Sequence, residues 1–216
     1  TLEGANLRLR WDAEQQTVLG TSEYDADLVT SLNVRLRDGR TDDAMPLTVE
    51  RASCTDRRLT VRYSTDRPIA VAVMYSPLRE GLVVHATVLN LGDQQEWIEL
   101  SLEAELADVD GLSIFDGRNV ADQPQEQFGE DEFIGRLQVC SAWNEDASVG
   151  LALAPSELRS WFHHSYLPDG ANGSATLSTM TRVVLDPDQD DSVSFWAASR
   201  PGEWGFYESL DAYYET

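Results

Sequence analysis

Apolar and polar residues alternate along most of this chain with a period of two. Leu7, Leu9 and Trp11 alternate with Arg8 and Arg10, and Leu32, Val34 and Leu36 alternate with Asn33, Arg35 and Arg37. That is the period of a β-strand with one buried face. Asp38-Gly39 ends the second run with turn chemistry. Leu59, Val61 and Tyr63 alternate with Thr60 and Arg62, until Asp66-Arg67-Pro68 breaks the run. Residues 69–75 are continuously apolar, which reads as a strand buried on both faces. After a second break at 77–81, Val84, Ala86 and Val88 carry a further strand, 90–94 a turn, and 97–106 another strand. The spacing predicts that these four runs form an antiparallel meander with connections of about four to six residues.

Residues 103–132 depart from this pattern, with ten acidic residues against one Arg. They read as a long connection holding one short strand at 112–115. Strands resume at 133–142 and 149–154. An aromatic stretch at 161–166 precedes a glycine-rich turn at 168–174. Residues 175–185 and 192–199 read as a last hairpin across the Asp-rich turn 186–191. Roughly a dozen strands predict an all-β, two-sheet antiparallel sandwich, because one sheet of that length would leave exposed edges.

The last fifteen positions differ again. Trp204, Tyr207, Leu210 and Tyr214 recur three to four residues apart and would share one face of a short C-terminal helix. The expected limits are a sandwich domain over 1–201 and a helical linker over 202–216, with those four residues as candidate domain-interface positions. The chain starts at Thr1 and runs into this helix at its end. It therefore reads as one module of a larger protein, with a further domain downstream as partner.

Composition narrows the classes. A 42% apolar fraction can build a sizeable core, and 9% aromatic residues argue against disorder. With 38 acidic residues against 16 basic, all of them Arg, the net charge is −22. Such a field repels phosphate backbones, so nucleic acid and anionic membrane surfaces are excluded as partners. No apolar run is long enough to span a bilayer. Cys54 and Cys140 are the two cysteines; they form either one bridge or two free thiols, and no local spacing adds partners for a metal. The carboxylates of 186–191 lack the glycine and glutamate of a calcium loop and read as a solvated turn. No nucleophile elbow, phosphate loop or zinc-helix motif occurs, so neither cofactor nor metal is expected.

Two further sets of residues carry candidate chemistry. Trp161, His163, His164 and Tyr166 offer flat aromatic surface beside imidazoles, which suits the apolar face and hydroxyl rim of a sugar. His163 and His164 are adjacent and would point to opposite faces of a strand, so at most one lines any given pocket. Trp143 is a second exposed-aromatic candidate for carbohydrate. The acids Asp116, Glu130, Asp131 and Glu132 cannot be read as a glycosidase pair, since that pair is defined by a separation in space.

The stretch 81–102, GLVVHATVLNLGDQQEWIELSL, resembles the strand–turn–strand core of galactose-mutarotase-like sandwiches, in which a strand ending in Asn-Leu-Gly-Asp turns into a strand carrying Trp. The final strands followed by Glu-Trp and Leu-Asp-Ala-Tyr-Tyr resemble the junction where such a sandwich meets the catalytic barrel of a glycoside hydrolase. The likeness covers 59–102 and 181–216. It implies a galactose-mutarotase-like super-sandwich serving as a non-catalytic accessory domain, N-terminal to a catalytic barrel, with an extracellular or periplasmic location favoured. A stand-alone carbohydrate-binding module and a sugar epimerase are the alternatives. Epimerases of this fold use a His acid and a carboxylate base; His85 sits in an apolar pattern without an evident base, and no catalytic residue is assigned.

Overall fold

A computed structural model of the chain describes residues 1–4, 7–22, 28–79, 81–107, 112–115, 117, 120–122, 137–144, 149–156, 161–169, 173–200 and 213. They contain seventeen strands. The first nine are β1 (Leu2–Gly4), β2 (Leu7–Asp12), β3 (Thr17–Ser22), β4 (Val29–Asp38), β5 (Ala44–Met45), β6 (Thr48–Cys54), β7 (Leu59–Ser64), β8 (Ile69–Leu78) and β9 (Gly81–Asn90). The remainder are β10 (Glu96–Ala107), β11 (Leu112–Phe115), β12 (Val120–Asp122), β13 (Cys140–Asn144), β14 (Val149–Pro155), β15 (Phe162–Asp169), β16 (Ser174–Leu185) and β17 (Asp190–Arg200). All pair antiparallel, in two sheets. An eight-stranded sheet runs β1-β2-β3-β4-β10-β16-β15, with β5 beside β4. A nine-stranded sheet runs β12-β11-β13-β14-β17-β9-β8-β7-β6. This is the expected all-β, two-sheet sandwich.

The period-two pattern sorts side chains into one core. Leu32, Val34 and Leu36 of β4 join Leu100 and Leu102 of β10, Val71 and Val73 of β8, and Val84, Ala86 and Val88 of β9 in a single buried cluster. Tyr75 adds a polar tie across the sandwich: its hydroxyl on β8 donates to the Leu32 carbonyl on β4 at 3.2 Å. Burial pushes its phenol well above the ordinary value. Where the β3–β4 ladder narrows to Leu19 opposite Ser31, the Asn33 amide substitutes for a peptide. Its Oδ1 accepts from the Val18 N–H at 2.9 Å and its Nδ2 reaches the Val18 carbonyl.

Three elements differ from the sequence expectation. The run 69–75 is buried on one face, not two; Ala70, Ala72 and Met74 lie half-buried on the outer side of the nine-stranded sheet. A sandwich sheet has one inner face, and small side chains outside imitate a doubly buried strand. The predicted four-strand meander stops at three, because β10 crosses to the other sheet and pairs with β4 and β16, while β17 takes the place beside β9. The predicted last hairpin is likewise a crossover: β16 pairs with β10 and β15, and β17 with β14 and β9. The short strand at 112–115 is present as β11. The strand expected from 133 begins at Cys140, with 133–136 outside the described residues. Both cysteines are free thiols, Cys54 exposed and Cys140 buried. Of the expected C-terminal helix only Tyr213 is described.

The two crossovers lie side by side. Asn90, fully buried at the end of β9, donates from Nδ2 to the carbonyls of Gln94, Leu185 and Asp186 at 2.7, 3.2 and 3.2 Å. At the same end Arg67, in the β7–β8 turn, reaches Asp38 at 2.6 Å and Glu96 at 3.4 Å on the opposite sheet. The Arg40 backbone N–H, donating at 2.8 Å, and the Arg67 guanidinium hold the Asp38 carboxyl below its ordinary value of 3.8. A carboxyl lowered on folding stabilises the fold above its unfolded value, and that contribution disappears as pH falls through the folded value. Asp38→Asn is therefore expected to lower the urea midpoint at neutral pH and to flatten the loss of stability below about pH 4. An unchanged acid limb would separate the fold's acid sensitivity from this ion pair.

Candidate functional site

The two longest strands of the eight-stranded sheet, β10 and β16, place polar residues at alternate positions along the chain, facing outward. Their register is continuous from Glu96 opposite Leu185 to Ala107 opposite Ser174. Leu100, Leu102 and Leu177 point into the core, so Glu99, Ser101 and Glu103 face outward beside Arg182, Met180 and Ser178. β4 extends the rows with Arg37, Arg35 and Asn33, and β15 adds His163 opposite Met180 and Ser165 opposite Ser178. The loop after β4 supplies Arg40, Thr41 and Asp42 as one wall. All of these outward-facing and loop residues except Arg35 and Asn33 line an open concavity of about 800 Å³, with Trp161 at its β15 end.

Its charges are arranged in pairs. The Glu99 side chain, 9% exposed, accepts from Arg182 Nη2 at 2.5 Å and from Nε at 3.2 Å. The same guanidinium stacks over the Trp161 ring at 4.4 Å from its centroid, which fixes the indole against the sheet. Glu103 accepts from Ser101 at 2.9 Å and lies 3.8 Å from Arg35. Arg37 meets Asp42 at 3.2 Å, and the hydroxyls of Ser165 and Ser178 are 2.6 Å apart. Glu99 and Glu103 are four residues apart on one strand, about 13 Å at the backbone. Each is held by a different arginine. The outcome is a donor- and acceptor-rich trough with one oriented aromatic plate, the combination that recognises sugar hydroxyls and their C–H faces.

The sequence candidates separate. Trp161 and His163 line the concavity. His164 and Tyr166 lie on the opposite face of β15, inside the sandwich; His164 packs on the Phe162 ring at 5.2 Å, and burial raises the Tyr166 phenol. Trp143 is 4% exposed, not the exposed aromatic expected from its sequence. It belongs to a second buried cluster with Phe115, Ala152, Ala154 and Trp196 on the outer side of the nine-stranded sheet. Tyr213 packs edge-on against Trp196 at 5.8 Å and donates to the Pro155 carbonyl at 3.3 Å. Trp204, Tyr207, Leu210 and Tyr214 lie outside the described residues, as do Asp116, Glu130, Asp131 and Glu132. His85 bonds Ser194 through Nδ1 at 2.8 Å on the outer side of the nine-stranded sheet. Glu99, Ser101, Glu103 and Arg182 also line the concavity and are not among the sequence candidates. Their alternation was visible, but the row they share depends on the adjacency of β10 and β16.

No family model matches the chain, and no curated protein sequence matches it. Solved structures do. A protein from Synechocystis sp. PCC 6803 superposes with a TM-score of 0.66 at 11% identity, covering 91% of this chain and 93% of that one. A galactose mutarotase-like protein from Lactobacillus casei ATCC 334 gives 0.61 at 10%, covering 93% and 99%. The galactosidase domain of an alpha-galactosidase-sucrose kinase, AgaSK, gives 0.61 at 11%, with 93% of this chain matched to 40% of that chain. At these identities the likeness is one of fold: the chain has the two-sheet β-sandwich fold seen in galactose mutarotase-like proteins.

Removing one partner of the Glu99–Arg182 pair leaves a largely buried charge uncompensated. Arg182→Met is expected to destabilise by about 2 kcal/mol, and Arg182→Met with Glu99→Gln by less than the sum of the single changes. Urea unfolding of the four proteins checks the coupling.

Proposed function

We propose that this sandwich is a non-catalytic accessory domain of a carbohydrate-active enzyme, a glycoside hydrolase, and that it holds sugar on the outward face of its eight-stranded sheet. The observation that carries this reading is the trough itself: Trp161 held by Arg182, flanked by Glu99, Ser101, Glu103, His163 and paired serine hydroxyls. Alternating guanidinium, carboxylate and hydroxyl groups can satisfy the two-sided hydrogen bonding of a sugar ring while the indole covers an apolar face. Support for an accessory role comes from the engagement of both carboxylates. Glu99 is bound by two Arg182 nitrogens, and Glu103 by Ser101 near Arg35, so neither is a free proton acceptor. The match to part of a longer galactosidase structure is consistent with a catalytic domain beyond a 202–216 linker.

A sugar epimerase is the second reading. It is favoured by one observation, that His163 shares the trough with Glu99 and Glu103. A single set of measurements separates the two. The 216-residue chain is titrated calorimetrically with galactose, glucose and their oligosaccharides, and the anomerisation of α-galactose is followed by polarimetry. The accessory reading expects saturable binding weakened about tenfold or more in Trp161→Ala, with anomerisation at the buffer rate. Acceleration that disappears in His163→Ala would replace it with the epimerase. Absence of binding across the panel would remove sugar from the account.

A further inference from the structure

Acidic residues outnumber arginines 38 to 16 in this chain, so an arginine without an acidic partner is conspicuous. Arg8, Arg35, Arg37, Arg67 and Arg182 each meet a carboxylate. Arg10 and Arg40 form no ion pair among the described residues, and neither do Arg51, Arg57, Arg58 and Arg62, although Glu50 and Asp56 are neighbours of these last four in sequence. These four all belong to the β6–β7 hairpin at one edge of the nine-stranded sheet. Thr55 builds its turn: the hydroxyl accepts from the backbone N–H groups of Arg57 and Arg58 at 3.3 and 3.2 Å, holding both arginines at the tip.

On the outer side of this hairpin Arg51 stands directly opposite Arg62, and in the next row Ser53 stands opposite Thr60. Like charges in directly opposed positions destabilise a sheet. Protection of a free edge explains a charge on β6 but not Arg62, one strand further in. Arg51, Arg58 and Arg62, with the hydroxyl residues Ser53, Thr55 and Thr60, line a concavity of about 350 Å³.

We propose that this concavity binds a tetrahedral oxyanion, a sulfate or phosphate group. Guanidinium forks pair bidentately with the oxygens of such a group, and the Ser53 and Thr60 hydroxyls can donate to those that remain, while the Thr55 hydroxyl is spent on the turn, donating to the Arg58 carbonyl at 3.3 Å. Its charge offsets the repulsion between Arg51 and Arg62. An extended polyanion would meet the acidic surface of a chain of net charge −22, whereas one compact group reaches the arginines alone. The group arrives free or as an ester on a sugar. The site belongs to the sheet opposite the Trp161 trough, so its failure would leave the sugar-trough reading intact.

The test compares the 216-residue chain with Arg51→Gln/Arg62→Gln in thermal melts at fixed ionic strength, with sodium sulfate replacing sodium chloride. In chloride the double variant is expected to melt no lower than the parent, because the repulsion is gone. In sulfate the parent's midpoint rises further than the variant's, and the excess follows the occupancy of one site. An equal rise in both proteins would be the general exclusion effect of sulfate and would overturn the proposal. A lower midpoint of the variant in chloride would also overturn it, by making the arginines packing elements. Calorimetry on the parent is independent of the variant's folding, and no saturable binding of sulfate or phosphate there defeats the site. Galactose 6-sulfate and galactose 6-phosphate separate the sources. Affinity about tenfold or more above the inorganic ion assigns an esterified sugar, and equal affinity assigns the free anion.

Discussion

One buried amide holds together the place where this chain changes sheets. The passages from β9 to β10 and from β16 to β17 both cross the sandwich at the same end, and Asn90 binds carbonyls of each. Its Oδ1 takes the Gly92 N–H at 2.9 Å, and its own N–H donates to Gln189 at 2.9 Å. Crossover backbone cannot satisfy its polar groups in a ladder, and a buried carbonyl without a donor costs more than an ordinary hydrogen bond returns. Asn90 supplies those donors from inside. Gly92 belongs to the same arrangement, since a Cβ there would come within 2.8 Å of the Pro68 ring.

The trough follows from this arrangement. With β10 and β16 both sent to the eight-stranded sheet, they become neighbours over their full length, and four rows of outward residues come into register with β4 and β15. Acidic, basic and hydroxyl side chains that are far apart in sequence then stand about one strand spacing, 4.8 Å, from each other. The other sheet carries two different surfaces. One end is closed by the Trp143 and Trp196 cluster with Tyr213, and the opposite edge bears the arginine hairpin. The fold thus separates a mixed-charge, aromatic face from a basic one, within a strongly acidic protein.

Local physics was legible in the sequence wherever one face of a strand is buried. The alternations at Leu7 to Trp11, Leu32 to Leu36 and Leu59 to Tyr63 became β2, β4 and β7, and the isolated apolar run at 112–115 became β11. What stayed hidden was the choice of partner. A turn such as 91–95 or 186–189 reads as a hairpin by composition, yet here each redirects the chain to another sheet, and only the long-range bonds of Asn90 distinguish the two outcomes. Trp161 and His163 stand out in the sequence by their side-chain chemistry, and both line the concavity. Glu99, Ser101, Glu103 and Arg182 do not stand out, because a polar position on a strand carries no mark of the strand beside it. Trp143, an exposed-aromatic candidate by sequence, is instead buried by Phe115, Ala154 and Trp196, because the outer side of this sheet carries a second cluster.

Urea unfolding of Asn90→Ala against the parent chain tests the central claim most directly. Loss of the amide removes the Nδ2 donor from the buried Leu185 carbonyl and from the partly buried carbonyls of Gln94 and Asp186, and a destabilisation of about 2–4 kcal/mol is expected. Asn90→Asp should fare no better, since a carboxylate would face the same carbonyl oxygens. A loss below about 0.5 kcal/mol, the range of an ordinary surface substitution, would show that the crossovers hold their own geometry and that the trough does not depend on this residue.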